Sequence, residues 1–162
     1  MSTQSLTKSQ WLLYSIIRLH GGQINDKTKL AKLEYFADFI HYAFHSVPIS
    51  SVQENIYTRQ KQGALSRTLT ADLEKLKESG LIDYSSKYSY KIKKDKEIPL
   101  TREEFKTIKF VLEKYGDREW EELVDICHNQ TPYLSAPEKG VIEYFTAFNL
   151  VDEYPDYAKY EA

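Results

Sequence analysis

The most constraining feature of this chain is a run of apolar residues at helical spacing between positions 29 and 44. The apolar positions are Leu30, Leu33, Phe36, Ile40 and Phe44. Intervals of three or four residues place them on one face of an α-helix. Asp26 precedes the run and is a residue type that caps helix N-termini. The sequence therefore predicts one dense amphipathic helix that begins after Asp26 and ends near Phe44.

Capping signals predict several further helices. Residues 7–10, 101–104 and 135–138 each resemble a capping box, in which Ser or Thr is followed three positions later by Glu or Gln. The last of these helices is expected to continue to about residue 148. A stripe of leucines predicts another helix over about residues 65–79. Gly80 is suited to end it, because glycine adopts the left-handed conformation without a Cβ clash.

The hydrophobic period changes from 3.6 to 2 between residues 81 and 92. Ile82 and Tyr84 share one face of a first strand, and Tyr88, Tyr90 and Ile92 share one face of a second, with a turn at residues 85–87. The predicted fold is therefore mainly α, a single helical domain with one small β-hairpin. A helix followed by such a hairpin makes the fold winged-helix-like.

Two segments follow from this pattern. We assign residues 1–148 to the helical domain and residues 149–162 to an acidic, tyrosine-rich tail. The tail contains Pro155 and is expected to be partly ordered at best, as chain termini often are.

The net charge of -2 hides an asymmetry along the chain. Residues 58–109 carry thirteen Lys and Arg against eight Asp and Glu, a balance of +5. Residues 110–162 carry four Lys and Arg against twelve Asp and Glu, a balance of -8. Two surfaces of opposite sign would steer partners of opposite sign. The alternative is that these charges only cover the solvent-facing sides of helices.

The winged-helix layout makes DNA a candidate partner. In DNA-binding proteins of this layout the helix before the hairpin enters the major groove and the hairpin contacts phosphates. The candidate nucleic-acid contacts are Arg59, Lys61, Arg67, Lys91, Lys93 and Lys94. Two alternatives stay open: such units also serve as protein-binding scaffolds, and lysines on a hairpin protect an exposed edge from aggregation.

Catalytic and metal-binding patterns are weak in this sequence. His41 and His45 share one helix face, and Asp38 lies three residues before His41, but the His-Glu-x-x-His pattern is absent. Cys127 and His128 point about 100° apart on a helix and so do not form a nucleophile–base pair; core packing is the expected role of the thiol. We predict a non-enzymatic protein with no metal and no cofactor.

The chain has the marks of a cytoplasmic protein. A single cysteine cannot form an internal disulfide and fits a reducing compartment. The N-terminus lacks the apolar run of a signal peptide, and no apolar stretch approaches the ~20 residues that cross a bilayer. No membrane partner is expected.

Six short motifs occur together along the chain. They are K-L-A-K-L-E-Y-F-A-D at 29–38, V-P-I at 47–49, L-x-x-L-x-x-x-G-L-I at 73–82, L-T-R-E-E-F at 100–105, Y-G at 115–116 and H-N-Q-T-P-Y at 128–133. In combination they resemble the Panacea family, also described as SocA-like antitoxins, over about residues 10–148. The chain departs from the family pattern at Gly63-Ala64 (usually Gly-Pro), at Tyr133 (usually Trp) and at Glu34 (usually apolar).

The resemblance implies a protein that binds and neutralises a cognate protein toxin. Some relatives hand the bound toxin to a protease, so a protease or its unfoldase is a further candidate partner; some relatives occur in phages or prophages. Operator DNA and a homodimer also stay open. The candidate partner contacts are Tyr35, Asp38, Tyr42, Trp120, His128, Pro132 and Tyr133.

Two of these candidates have a structural alternative. Asp38 lies on a strongly apolar helix, and because a lone buried carboxylate is costly we expect it to have a hydrogen-bonding partner. His128 lies where a helix is expected to end, and an imidazole there also favours the helix dipole.

Overall fold

The computed structural model describes residues 5–50, 57–84 and 89–161. The helices in these ranges are α1 Lys8–Leu19, α2 Lys27–His45, α3 Leu69–Glu78, α4 Arg102–Tyr115, α5 Trp120–His128, α6 Thr131–Ser135, a 3-10 helix Tyr144–Asn149, α7 Leu150–Glu153 and α8 Pro155–Glu161. The strands are β1 Gln23–Ile24, β2 Tyr57–Gln60, β3 Gly63–Ser66, β4 Ile82–Asp83 and β5 Tyr90–Ile92. The fold is mainly α with small antiparallel sheets, as the sequence predicts.

Helix α2 is the centre of the molecule. Every residue from Leu30 to His41 is buried, and α2 packs against α1, α4, α5, α7, β3 and the 3-10 helix. The Asp26 side chain caps it by accepting a hydrogen bond from the Lys29 backbone N–H at 2.9 Å. The predicted central helix and its cap are both confirmed.

The predicted hairpin between residues 81 and 92 is confirmed in its strands. β4 and β5 pair antiparallel, with Ile82 opposite Ile92, while the turn at residues 85–87 lies outside the described residues. The short strand β1, which lies between α1 and α2, adds to the other edge of β5 and gives the sheet order β1-β5-β4. The sheet therefore joins the beginning of the chain to its middle.

A second hairpin, β2–β3, was not predicted. It pairs Tyr57 with Ser66 and Gln60 with Gly63 around a two-residue turn. The predicted helix over residues 65–79 was consequently placed too early, because Leu65 belongs to β3 and α3 begins at Leu69. Gly63 has a φ of 103°, a conformation that favours glycine and suits a tight hairpin turn.

The predicted helix from residue 135 to 148 is wrong over its first half. Ser135 does not cap a helix there; its hydroxyl donates to the Thr131 carbonyl and α6 ends. The chain then runs extended beside β2, where the Ile142 N–H donates to the Tyr57 carbonyl at 2.9 Å. Backbone pairing with a strand some 80 residues away therefore overrides the local capping signal.

The C-terminal segment separated above as a tail packs against the helical body. Residues of α7 and α8 and their junction reach the core, with Leu150, Tyr154 and Tyr157 at most 1% exposed. The Tyr154 and Tyr115 hydroxyls lie 2.7 Å apart, which joins this segment to α4. The expectation of a partly ordered tail fails over residues 150–160, because these aromatic side chains fill space between α2 and α4.

Candidate functional site

Asp38, at the end of the Y-F-A-D motif, accepts at least four hydrogen bonds although it is fully buried. One carboxylate oxygen receives the backbone N–H groups of Ile49 and Ser50, each at 2.9 Å. The other receives the Ser50 hydroxyl at 2.5 Å and the Tyr57 hydroxyl at 2.8 Å. Burial raises the pKa of Asp38, and these hydrogen bonds oppose the rise. The expected partner for this carboxylate is confirmed.

Tyr35, from the same motif, is also fully buried. Its hydroxyl donates to the Gln130 side chain at 2.7 Å, and the Gln130 amide in turn reaches the Tyr154 hydroxyl at 2.7 Å. This chain of bonds connects α2, the α5–α6 junction and the C-terminal segment. Neither Tyr35 nor Asp38 presents a side chain to a partner in this conformation.

His128, Pro132 and Tyr133 lie where the β2–β3 hairpin meets α5 and α6. The Tyr133 hydroxyl donates to the Gln60 carbonyl at 2.7 Å, and a His128 ring nitrogen lies 3.0 Å from the Lys61 carbonyl oxygen. Pro132 and Tyr133 are buried, whereas His128 is partly exposed. The H-N-Q-T-P-Y motif therefore holds the hairpin tip to the helical body.

Arg59, a candidate nucleic-acid contact, lies on the same junction. Its guanidinium stands 4.5 Å from the Tyr133 ring centre, and its Nη1 lies 2.9 Å from the Ala136 carbonyl oxygen. The carbonyls of Tyr133 and Leu134 lie within 3.4 Å of the same nitrogen. These internal contacts place the Arg59 charge at the α6 C-terminus, where a cation is stabilising.

A cavity of about 620 Å³ opens between the N-terminal half of α2 and the β2–β3 hairpin. Trp120 and Lys61, two of the predicted contacts, line it together with Lys32. Lys32 is only 2% exposed; its amine donates to the Ala64 carbonyl at 2.6 Å, and burial lowers its pKa to about 8. Burial also raises the pKa of the Cys127 thiol beside it, which keeps that thiol protonated.

The remaining candidates are on the surface. Arg67 is exposed just before α3, and Lys91, Lys93 and Lys94 are exposed on and directly after β5. Tyr42 is partly exposed and stacks on Tyr144, with ring centres 5.6 Å apart. The basic candidates other than Arg59 and Lys61 thus share the unit formed by α3, β4 and β5.

His41 and His45 stack with ring centres 4.3 Å apart, but their ring nitrogens contact side chains of α4 and α8. A His41 ring nitrogen lies 2.7 Å from the Thr107 hydroxyl, which lies 2.6 Å from the Tyr157 hydroxyl. Asp38 is engaged with Ser50 and Tyr57 instead. In the described part of the chain no three His, Cys, Asp or Glu side chains are grouped to hold a metal ion.

An exposed apolar surface near the C-terminus was missed by the sequence analysis. Phe145 and Phe148 are 64% and 68% exposed, and Leu134 is 57% exposed. The sequence analysis only placed both Phe residues in the last part of a predicted helix. The available signal was the three-residue spacing of Phe145, Phe148 and Val151, which runs beside a second apolar series at Tyr144, Ala147 and Leu150.

Comparison with protein families finds one match. The model of the antitoxin SocA-like, Panacea domain matches residues 30–133, which is nearly two thirds of the chain. The match spans α2, both hairpins and the α5–α6 junction, where the buried motif residues lie. The chain belongs to this antitoxin family.

No curated protein and no solved structure matches the chain. Among the helices of the described ranges, none combines the length and the apolar character that a bilayer crossing needs.

Proposed function

We propose that this protein is the antitoxin of a toxin–antitoxin system, and that it neutralises a cognate protein toxin by binding it. The observation that carries this proposal is membership of the SocA-like antitoxin family over residues 30–133. The action is steric and electrostatic: the bound chain covers the active surface of the toxin. It needs no catalytic residue, metal or cofactor of its own.

The side-chain placement supports a binding role in a particular way. Asp38, Tyr35 and Tyr133 stabilise junctions inside the protein, so the shared motifs preserve the shape of the body. Contact with the toxin falls to exposed or partly exposed groups. Among the sequence candidates, Tyr42, Trp120 and His128 have side chains that reach the surface.

The protein would act in the cytoplasm of a bacterium or of a host carrying a phage or prophage. Two finer roles are compatible with its binding of the toxin there. The bound toxin is either held inactive or delivered to a protease or its unfoldase, as some relatives do. Depleting the protease in cells that express both proteins separates these roles, because only delivery makes toxin levels rise on depletion.

Co-expression tests the antitoxin role. The gene on each side of the gene for this chain is expressed alone and then together with it, and growth is followed. We expect one neighbour to arrest growth alone and to lose that effect when this chain is co-expressed. Absence of toxicity from both neighbours, or toxicity unaffected by this chain, contradicts the proposal.

DNA binding is a second candidate function, favoured by the arrangement of the first half of the chain. The elements run α1, β1, α2, β2, β3, α3, β4, β5, and the three-stranded sheet is ordered β1-β5-β4. Apart from the inserted β2–β3 hairpin, this order resembles that of a winged helix and supports the proposal. Lys93 and Lys94 are exposed directly after β5, next to the hairpin, the element that contacts phosphates in such proteins. A homodimer would present two such units to a symmetric operator.

A gel shift on the DNA upstream of the gene tests this second function. Lys93→Glu with Lys94→Glu should abolish a shift made by the wild-type protein, because each phosphate contact adds a favourable, salt-dependent contribution to the binding free energy. Lys109→Glu, a charge reversal at an exposed residue of α4, is the control. No shift by the wild-type protein, or equal shifts by all variants, contradicts a DNA-binding hairpin.

A further inference from the structure

The 3-10 helix and α7 carry two apolar stripes on neighbouring sides, about 120° apart. In a 3-10 helix residues three apart lie above one another, so Phe145 and Phe148 share a side, and Val151 continues it into α7. We call these three residues the outer stripe. The inner stripe consists of Tyr144, Ala147, Leu150 and Tyr154, and it packs onto α2 and α4.

The exposure of the outer stripe is unusual for its composition. Phe145 and Phe148 are 64% and 68% exposed and Val151 is 40% exposed, whereas Ala147 and Leu150 are at most 1% exposed. Here the inner stripe meets the core while the outer stripe faces solvent.

Leu134 of α6 enlarges this surface. Helix α6 packs against the 3-10 helix, and the Asn149 amide donates to the Thr131 hydroxyl at 2.5 Å, which fixes the two elements together. Leu134 is 57% exposed. Roughly 100–160 Å² is left uncovered on each Phe, so the surface is comparable to the largest apolar patch of a typical monomer, about 300–600 Å², which is often functional.

The charges of the segment that carries the outer stripe are strongly of one sign. Residues 134–156 contain five carboxylates, at 138, 143, 152, 153 and 156, against the single Lys139, a balance of -4. All five are exposed; Lys114 pairs with Asp156 at 3.0 Å, and Glu153 accepts a hydrogen bond from the Gln130 amide at 2.6 Å. An apolar centre framed by carboxylates is complementary to an apolar centre framed by Lys and Arg.

We propose that the outer stripe, with Leu134, is the surface that docks the toxin, and that the toxin presents apolar side chains ringed by basic ones. This inference rests on the antitoxin role proposed above. A second copy of this chain is disfavoured as the occupant, because a twofold contact would bring two surfaces of charge -4 together. A basic docking surface is also what a toxin acting on nucleic acid would carry.

The test uses the full-length protein and the product of the neighbouring gene that proves toxic. Phe145→Ser with Phe148→Ser removes the aromatic centre, and Glu143→Lys reverses one framing charge. The controls are Leu19→Ser, at an apolar residue that is 40% exposed at the end of α1, and Glu78→Lys, at an exposed residue of α3. Growth rescue, affinity by titration calorimetry and the unfolding temperature are measured for each.

The double Phe variant should bind the toxin about 30-fold or more weakly, the loss typical of a central aromatic contact. Glu143→Lys should weaken binding severalfold at low salt and less at high salt, since exposed charges are screened. Unfolding temperatures should stay near that of the wild type, because the substituted side chains are exposed. Both controls should bind and rescue as the wild type does.

Different outcomes separate the two proposals. If the wild-type protein rescues growth and the Phe and Glu143 variants bind within about threefold of it, the docking surface is wrong and the antitoxin role stands. If neither neighbour is toxic, both proposals fall. If the wild-type protein sediments as a dimer alone and the double Phe variant as a monomer, the occupant is a second copy and the toxin-docking inference is overturned.

Discussion

Removing the buried carboxylate of Asp38 is the sharpest test of how the family motif works. In Asp38→Ala the backbone N–H groups of Ile49 and Ser50 lose their acceptor inside the protein. The two hydroxyls are less affected, because Tyr57 also lies 3.2 Å from the Glu34 carbonyl and Ser50 lies 3.5 Å from the Tyr144 hydroxyl. Two backbone N–H groups left without an acceptor cost roughly 1–3 kcal/mol each, so we expect the free energy of unfolding to fall by about 4 kcal/mol.

The isosteric Asp38→Asn should lower the free energy of unfolding by less. Its amide oxygen can keep both backbone N–H bonds, and its amide nitrogen can donate to the Ser50 hydroxyl. We expect a loss of about 1–2 kcal/mol, the cost of rearranging the hydroxyl bonds. A residue that contacted the toxin directly would instead show lost binding with unchanged stability.

Equilibrium unfolding in urea measures both losses, with Trp11 and Trp120 as fluorescence reporters. The control is Asp125→Ala, at an exposed carboxylate on α5, which should change stability by less than about 0.5 kcal/mol. A loss below about 1 kcal/mol in Asp38→Ala, or a larger loss in the Asn variant than in the Ala variant, would refute this reasoning.

Three further perturbations test other parts of the structure. Burial and the neighbouring His45 lower the pKa of His41 to about 4, below the value of about 6.5 in the unfolded chain. Protonation therefore favours the unfolded chain as the pH falls below 6.5, and about 2 kcal/mol of unfolding free energy is lost from pH 7 to pH 5. His41→Gln should flatten that dependence in unfolding titrations. Gly63→Ala should destabilise more than Gly21→Ala, because both have positive φ but only Gly63 would place a Cβ 2.7 Å from a Lys32 carbon. Deleting residues 150–162 should abolish cooperative thermal unfolding, since it removes buried aromatic side chains.

Each of these has an outcome that contradicts it. An equally steep loss of stability from pH 7 to pH 5 in His41→Gln means that another group titrates. Equal unfolding free energies for the two glycine variants mean that Lys32 moves away at no cost, although its amine is bonded to Ala64 at 2.6 Å. A deletion variant that unfolds cooperatively at the wild-type temperature restores the view of the C-terminus as a tail.

The elements that the sequence determined by itself are those whose signals are local. Helix α2 follows from its apolar period and the Asp26 cap. The capping boxes at Thr7 and Thr101 form as predicted, with both reciprocal hydrogen bonds present. The strands of the β4–β5 hairpin follow from a change of period. Each of these signals is complete within about twenty residues, so the isolated sequence contains it.

What only the tertiary structure decided depends on partners far along the chain. The β2–β3 hairpin needs Tyr133 and His128 to hold its tip, and the segment before the 3-10 helix needs β2 for its backbone hydrogen bonds. The same holds for the two apolar stripes, which look alike in sequence. Tyr154 is buried and Phe148 is exposed because the core between α2 and α4 has room for one side of that helix, and the other side faces solvent.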